Sequence, residues 1–267
     1  MKKSNSGEKI YLLLVTALFY LPLILMVIYS FNESKMSSVW GGFSLKWYRR
    51  LFQNSAMFAA LGNSLFLALS ASLSAGVIGT LGAWGFSRIR PKSGGIIEAI
   101  SLLPLMTPEI ILGVVFMAFF SLLGLPFGMT TLILAHTAFC SPYVYVMVKA
   151  RLAGMDESLG EAASDLGASG GRAFFDIILP QLLPAVLSGM LLSFAMSFDD
   201  VIISIFVTGV RVNTLPIKIY TQLKTGISPE INALCALMLG VTVLMAALSY
   251  LLGRGYRSGR SMKRRKV

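Results

Sequence analysis

Three carboxylates stand in stretches of this sequence that are otherwise almost free of charge. They are Glu109 in "LLPLMTPEII", and Asp199 and Asp200 in "SFDDVIISIF". An acid facing lipid is costly, so each is expected to face a cavity or a polar partner. The apolar runs around them contain no Lys or Arg, which removes the obvious intramembrane ion pair. Carboxylates without a fixed partner suit a visiting cation: a proton, a metal ion or an organic amine. A second use stays open for Asp199 and Asp200, which can cap a break in their own helix near the outer interface. Adjacent helical residues point about 100° apart, so only one of the two can face a pore squarely. Pro104 and Pro108 precede Glu109 and release backbone carbonyls near residues 100 and 104, giving either extra acceptors or a plain kink. His136 is the sole histidine; one histidine cannot build a metal site, so a packed, hydrogen-bonded role is expected. Cys140 and Cys235 lie in apolar runs and read as small buried hydrophobes. No Ser/His or metal-ligand pairing is apparent, and no G-x-x-x-x-G-K-[ST] loop occurs, so neither catalysis nor nucleotide binding is expected of this chain.

The elements that must position these acids are set by hydropathy. The 267 residues are 55% hydrophobic and 13% charged, with a mean hydropathy of +0.75. That composition describes an all-α polytopic membrane protein. Six spans are predicted: 10–31, 62–86, 96–123, 130–148, 185–208 and 231–252. The first follows Lys2, Lys3 and Lys9, but it is long for a signal peptide and no small-x-small cleavage site follows, so it reads as retained. Pro229 and Glu230, after Ser228 as N-cap, signal the start of the sixth. Gly76, Gly79, Gly82 and Gly85 in the second read as a close helix-packing face. With both termini placed in the cytoplasm, 16 of the 23 Lys and Arg fall on the inner side, which supports that orientation. The segments are then a cytoplasmic N-terminus (1–9), a periplasmic loop (32–61), a five-helix core (62–252) with a cytoplasmic loop at 149–183, and a basic tail (253–267). Within the periplasmic loop an interfacial helix over 44–52 is expected, with Trp47, Tyr48, Leu51 and Phe52 inward. The basic tail reads as an anchor near anionic lipid and not as a nucleic-acid site. Glu98 lies near the cytoplasmic end of the third span and reads as an interface residue. The third and fifth spans both run from inside to outside, so Glu109 and Asp199 are expected at matching depth, roughly 20 Å from the inner edge and outside the midplane.

The loop at 149–183 is patterned. Ser158 and Glu161 have capping-box spacing, so a helix can start at Ser158. Leu159, Ala162, Ala163 and Leu166 follow as one narrow apolar stripe, and Gly167 suits a left-handed stop. A second helical pattern, Arg172 to Leu179, is expected to end at Pro180. A small-residue stripe with an acidic opposite face fits a groove on a partner protein better than a lipid surface. On the outer side, Thr214 can cap a short helix that Gly226 ends, leaving Lys218 and Lys224 near its exposed face.

Glu161-Ala162-Ala163, then Gly167, then Ile177-x-Leu179-Pro180 resembles the EAA loop of ABC importer permeases, and six spans with both ends inside resemble the type I importer core. The resemblance implies that the loop is a coupling helix inserted into a separate ATPase, two copies of which hydrolyse Mg-ATP, with no cofactor bound by this chain. "YSFNESK", "SFDDVIISIFVTG", "NTLPIKIY" and "SPEINAL" resemble the spermidine/putrescine branch of that family in the bacterial inner membrane. That branch implies a homologous second permease as heterodimer partner and a periplasmic binding protein, for which Lys218 and Lys224 are the candidate docking cations. The carboxylates Glu109, Asp199 and Asp200 would then line the translocation site. Permeases for iron(III) or thiamine share parts of these segments, and a cation-coupled secondary transporter would use the same acids differently.

Overall fold

The runs of apolar residues form long helices, because a segment in lipid must satisfy its own backbone hydrogen bonds. The computed structural model describes residues 6–35, 39–88, 91–156, 165, 167–225 and 229–244. Among them the chain is helical, with one isolated bridge between Asn32 and Phe43. The helices are α1 (Ser6–Tyr29), α2 (Lys46–Gln53), α3 (Ser55–Ser87), α4 (Pro91–Met106), α5 (Glu109–Leu122), α6 (Met129–Leu152), α7 (Gly170–Asp199), α8 (Ile202–Val207), α9 (Leu215–Thr225) and α10 (Pro229–Leu244). Four of these, α1, α3, α6 and α7, are long and apolar enough to cross a membrane alone, and α4 with α5 makes a fifth if the bent pair is one span. As far as it is described, α10 is a shorter apolar helix, and Ser228 before it lies outside the described residues.

Two compact units divide the chain, Ala56–Tyr220 and Met1–Ser55 with Thr221–Val267. In the second, Asn32 organises the loop after α1. Its amide donates to Val39 O at 2.8 Å and accepts from Gly41 N at 2.8 Å, while its carbonyl accepts from Trp47 Nε1 at 2.6 Å. Trp47 and Leu51 of α2 are buried as expected, whereas Phe52 is 61% exposed, contrary to the expected inward face. Phe52 lies one residue past Leu51, about 100° around the helix, and so off the buried stripe.

The core of Ala56–Tyr220 is built on small residues. Val144 of α6 lies between Gly79 of α3 and Gly189 of α7. A β-carbon at Gly79 would stand 2.7 Å from Val144 Cβ and 2.8 Å from Ser141 O, and one at Gly189 would stand 2.9 Å from Val144 Cα. Such approach is the usual means of bringing apolar helices together, where dispersion must replace a hydrophobic drive. Gly76 packs against Met190, but Gly82 has only ordinary contact and Gly85 none within 4 Å, so half of the glycine series serves packing. At one end Lys149 pairs with Glu98, joining α6 to α4, and the Arg88 guanidinium sits 4.6 Å from the Trp84 ring centre.

Three expected boundaries are corrected. The third span is broken at 107–108 and turns through 111° between α4 and α5, because Pro108 cannot donate a helical hydrogen bond. The fifth span is broken at Asp200 and Val201, between α7 and α8. The pattern at Arg172–Leu179 does not stop at Pro180. A wide π-turn at Phe174–Ile178 leads into the rest of α7, with Pro180 at its start. The missing N–H and the proline ring are tolerated where the helix is already widened. Buried Phe174, with its ring 4.3 Å from that of Trp84, holds this turn against α3.

Gly79→Ala is expected to lower stability by about 1–3 kcal/mol, because its methyl meets backbone atoms that cannot rotate aside. Gly82→Ala, whose nearest neighbour is Tyr145 Cδ2 at 3.7 Å, should be close to neutral. Thermal unfolding of the two variants in the same detergent checks the difference.

Candidate functional site

The two helix breaks meet. Pro108 caps α5, so Glu109 is the first residue of that helix; Asp200 and Val201 lead into α8. α5 and α8 pack closely, with Gly113 directly against the Phe206 ring. Gly113 lies four residues after Glu109, and Phe206 four after Ile202. That contact brings α8 against the N-terminal half of α5. Glu109 accordingly lies within electrostatic reach of both Asp199 and Asp200. Glu109 in the first turn of α5 and Asp200 just before α8 stand at the positive ends of those helices, which makes them tolerable there.

The three acids do different things. Asp200 is buried, at 8% exposure, and its oxygens accept from Ile203 N at 3.2 Å and Ser204 N at 2.8 Å. It supplies acceptors for the N–H groups that the break leaves without helical partners. The capping use anticipated for this pair thus falls to Asp200. The carboxylate of Asp200, one of the three acids expected to line the path, is turned into the protein. Asp199, the last residue of α7, is exposed, and Glu109 is partly exposed. Neither is in a salt bridge among the described residues. The matching depth expected from continuous helices does not apply, because both helices are broken. It is the pairing of the breaks that brings the acids together.

His136 of α6 is fully buried beneath the same break. Its Nδ1 is 2.8 Å from Ser197 Oγ on α7; its Nε2 is 3.1 Å from Ser204 Oγ on α8 and 3.4 Å from Asp200 Oδ2. The packed, hydrogen-bonded role expected of His136 is what the geometry shows. Thr131 Oγ1 adds a 2.8 Å bond to Val207 O at the far end of α8. The sequence reading passed over Ser197 and Ser204, although small polar residues on both sides of an Asp-Asp pair in an apolar run were a usable signal.

A family model described as "Binding-protein-dependent transport system inner membrane component" matches residues 75–257. The chain belongs to that family. Among its relatives, the spermidine/putrescine transport system permease protein PotC of Haemophilus influenzae is 40% identical over 244 residues, 91% of this chain and 95% of that protein. The putrescine transport system permease protein PotI of Escherichia coli (strain K12) is 40% identical over 253 residues, 91% of this chain and 89% of that one. A crystal structure of a bacterial ABC transporter involved in alginate import shares the fold, with a TM-score of 0.70 at 14% identity, over 96% of this chain and 99% of its own. The chain is thus an inner-membrane permease component and a transport subunit, not an enzyme.

Of the permease's expected coupling residues, Ser158, Leu159, Glu161, Ala162, Ala163 and Leu166 lie outside the described residues. Gly167 has φ +82°, the left-handed conformation expected of it. On α9, Lys218 is partly buried and Lys224 exposed. Thr214 does not cap α9 through its hydroxyl, which is buried without a hydrogen-bond partner among the described residues, while Leu215 N, the first N–H of the helix, donates to Ser64 Oγ of α3 at 2.8 Å. Gly226 lies outside the described residues.

Asp200→Ala should lower stability by about 1–3 kcal/mol by leaving two buried N–H groups and His136 without their acceptor. Asp200→Asn, which keeps one side-chain oxygen for α8, should lose less. Apparent melting temperatures of the two variants give the comparison.

Proposed function

We propose that this chain is one of two homologous permease subunits of an ATP-driven importer of polyamines, with Glu109 and Asp199 as the carboxylates that meet the passing amine. One observation carries the substrate reading. Two exposed or partly exposed acids stand at adjoining helix breaks in an apolar chain, with no salt-bridge partner among the described residues. Polyamines present ammonium groups separated by methylenes, so their path needs separated carboxylates with apolar walls between them. The names of the relatives, which are polyamine permeases, support the same substrate. Asp200, also expected on this path, takes the supporting role of holding the break that leaves Asp199 outward.

In this reading the chain makes six spans with both termini cytoplasmic, and the residues 149–183 form the coupling loop. Ser158, Leu159, Glu161, Ala162, Ala163, Leu166 and Gly167 contact an ATPase subunit, present in two copies, which binds Mg-ATP. A periplasmic binding protein docks on the opposite side, where Lys218 and Lys224 attract its acidic surface. The binding protein supplies affinity, and the path binds weakly because the amine must leave again.

Glu109→Gln and Asp199→Asn remove charge at constant size. Uptake of labelled spermidine or putrescine into vesicles should fall about tenfold or more, since a charge-assisted contact contributes about 1.5–3 kcal/mol. Undiminished uptake by both variants and by their combination would remove the polyamine path and leave the permease assignment standing. Ala163→Asp tests the coupling loop separately. An unpaired charge in a packed interface costs about 2 kcal/mol or more. The variant should insert in the membrane yet fail to retain its ATPase on purification, and full retention with full transport would exclude this contact.

A further inference from the structure

We infer that His136 is a positioning residue for transport: through Ser197, Ser204 and Asp200 it holds the α7–α8 break in the form that turns Asp199 outward. The inference rests on the proposed function only in treating Asp199 as part of the path. Its geometry stands without that reading.

A helix that stops at Asp199 and restarts at Ile202 has two ends that must be fixed relative to each other. The Asp200 cap fixes the start of α8 to residue 200, but it does not tie α8 to the body of α7. His136 does. One ring nitrogen meets Ser197, two residues before Asp199 on α7, and the other meets Ser204, in the first turn of α8. The ring belongs to a third helix, α6, and has no exposure of its own. The ring is fixed in plane by polar groups on both sides of the break. Rotating the end of α7 by one residue would exchange the environments of Asp199 and Asp200, because adjacent positions lie about 100° apart. Ser197 held at 2.8 Å opposes that rotation. Packing alone would be satisfied by an apolar side chain of similar volume, whereas this role needs two polar atoms at the ring's spacing.

Asparagine and glutamine separate the two contacts. His136→Asn keeps a polar atom near the Nδ1 position, opposite Ser197. His136→Gln extends one toward the Nε2 position, where Ser204 and Asp200 lie. The readout is local: the rate at which a small cationic methanethiosulfonate reagent modifies Asp199→Cys in membrane vesicles, with Cys140→Ser and Cys235→Ser removing the native thiols. His136→Asn and His136→Gln each keep only one of the two contacts, so each should change the rate by about tenfold, as expected for loss of a buried hydrogen bond. Ser204→Ala leaves the ring intact and removes its α8 partner; it should shift the rate in the same direction as His136→Asn. The parent rate in all of these variants, or in either the glutamine or the asparagine variant, would overturn the positioning role. With native Asp199 restored, His136→Asn and His136→Gln should both lose most uptake. If Asp199→Asn transports normally but the modification rates behave as expected, Asp199 leaves the proposed path and the positioning of residue 199 by His136 stands.

Discussion

A segment that crosses lipid can be interrupted only where something takes over the backbone hydrogen bonds that the break releases. At the α7–α8 break that group is the Asp200 carboxylate, which accepts from Ile203 N and Ser204 N. Much of the site follows from this one cap. With α8 started afresh at Ile202, its short length can lie against α5, Phe206 on Gly113. The break in α5 then meets the break in α7, and two carboxylates that are 90 residues apart in sequence become neighbours. Because Asp200 is committed inward, Asp199 is directed outward.

The cap needs a rigid support, and close helix packing provides it. Val144 between Gly79 and Gly189 draws α6 against both α3 and α7. Ser193 Oγ donates to Cys140 O at 3.3 Å, and Cys140 Sγ meets Ser193 O at 3.5 Å, a reciprocal clasp two turns below the break. With α6 held this near, His136 reaches both helices that flank Asp200. The small residues thus act at a distance on the acids, since an α6 displaced by even a methyl group would carry the imidazole away from its partners.

Much of the architecture was legible in local pattern. Apolar runs marked the long helices, Pro108 and the Asp-Asp pair marked places where helices could be interrupted, and Gly167 marked a left-handed turn. The two interruptions were harder to weigh. Pro104 lies inside α4 without ending it, whereas Pro108 ends it four residues later, and both read alike in sequence. Pro180 looked like a terminator but follows a widened turn whose Phe174 packs on Trp84, a residue 90 positions earlier. For Asp199 and Asp200 the spacing showed that one must differ from the other, but not which.

By itself the sequence determined that this is a helical membrane protein, that acids stand in its apolar segments, and that a patterned loop lies between its spans. These properties depend on residue type and on helical period, which are local. Tertiary structure alone decided that Asp200 is a cap, that Asp199 is exposed, and that Glu109 shares their neighbourhood. Those outcomes depend on which helix face meets which partner across α5, α6, α7 and α8. A carboxylate at a helix break is equally at ease accepting from backbone N–H groups or facing a cavity. The imidazole of His136, 64 residues before Asp200 in the chain, stands on one side of it, and that contact settles the direction.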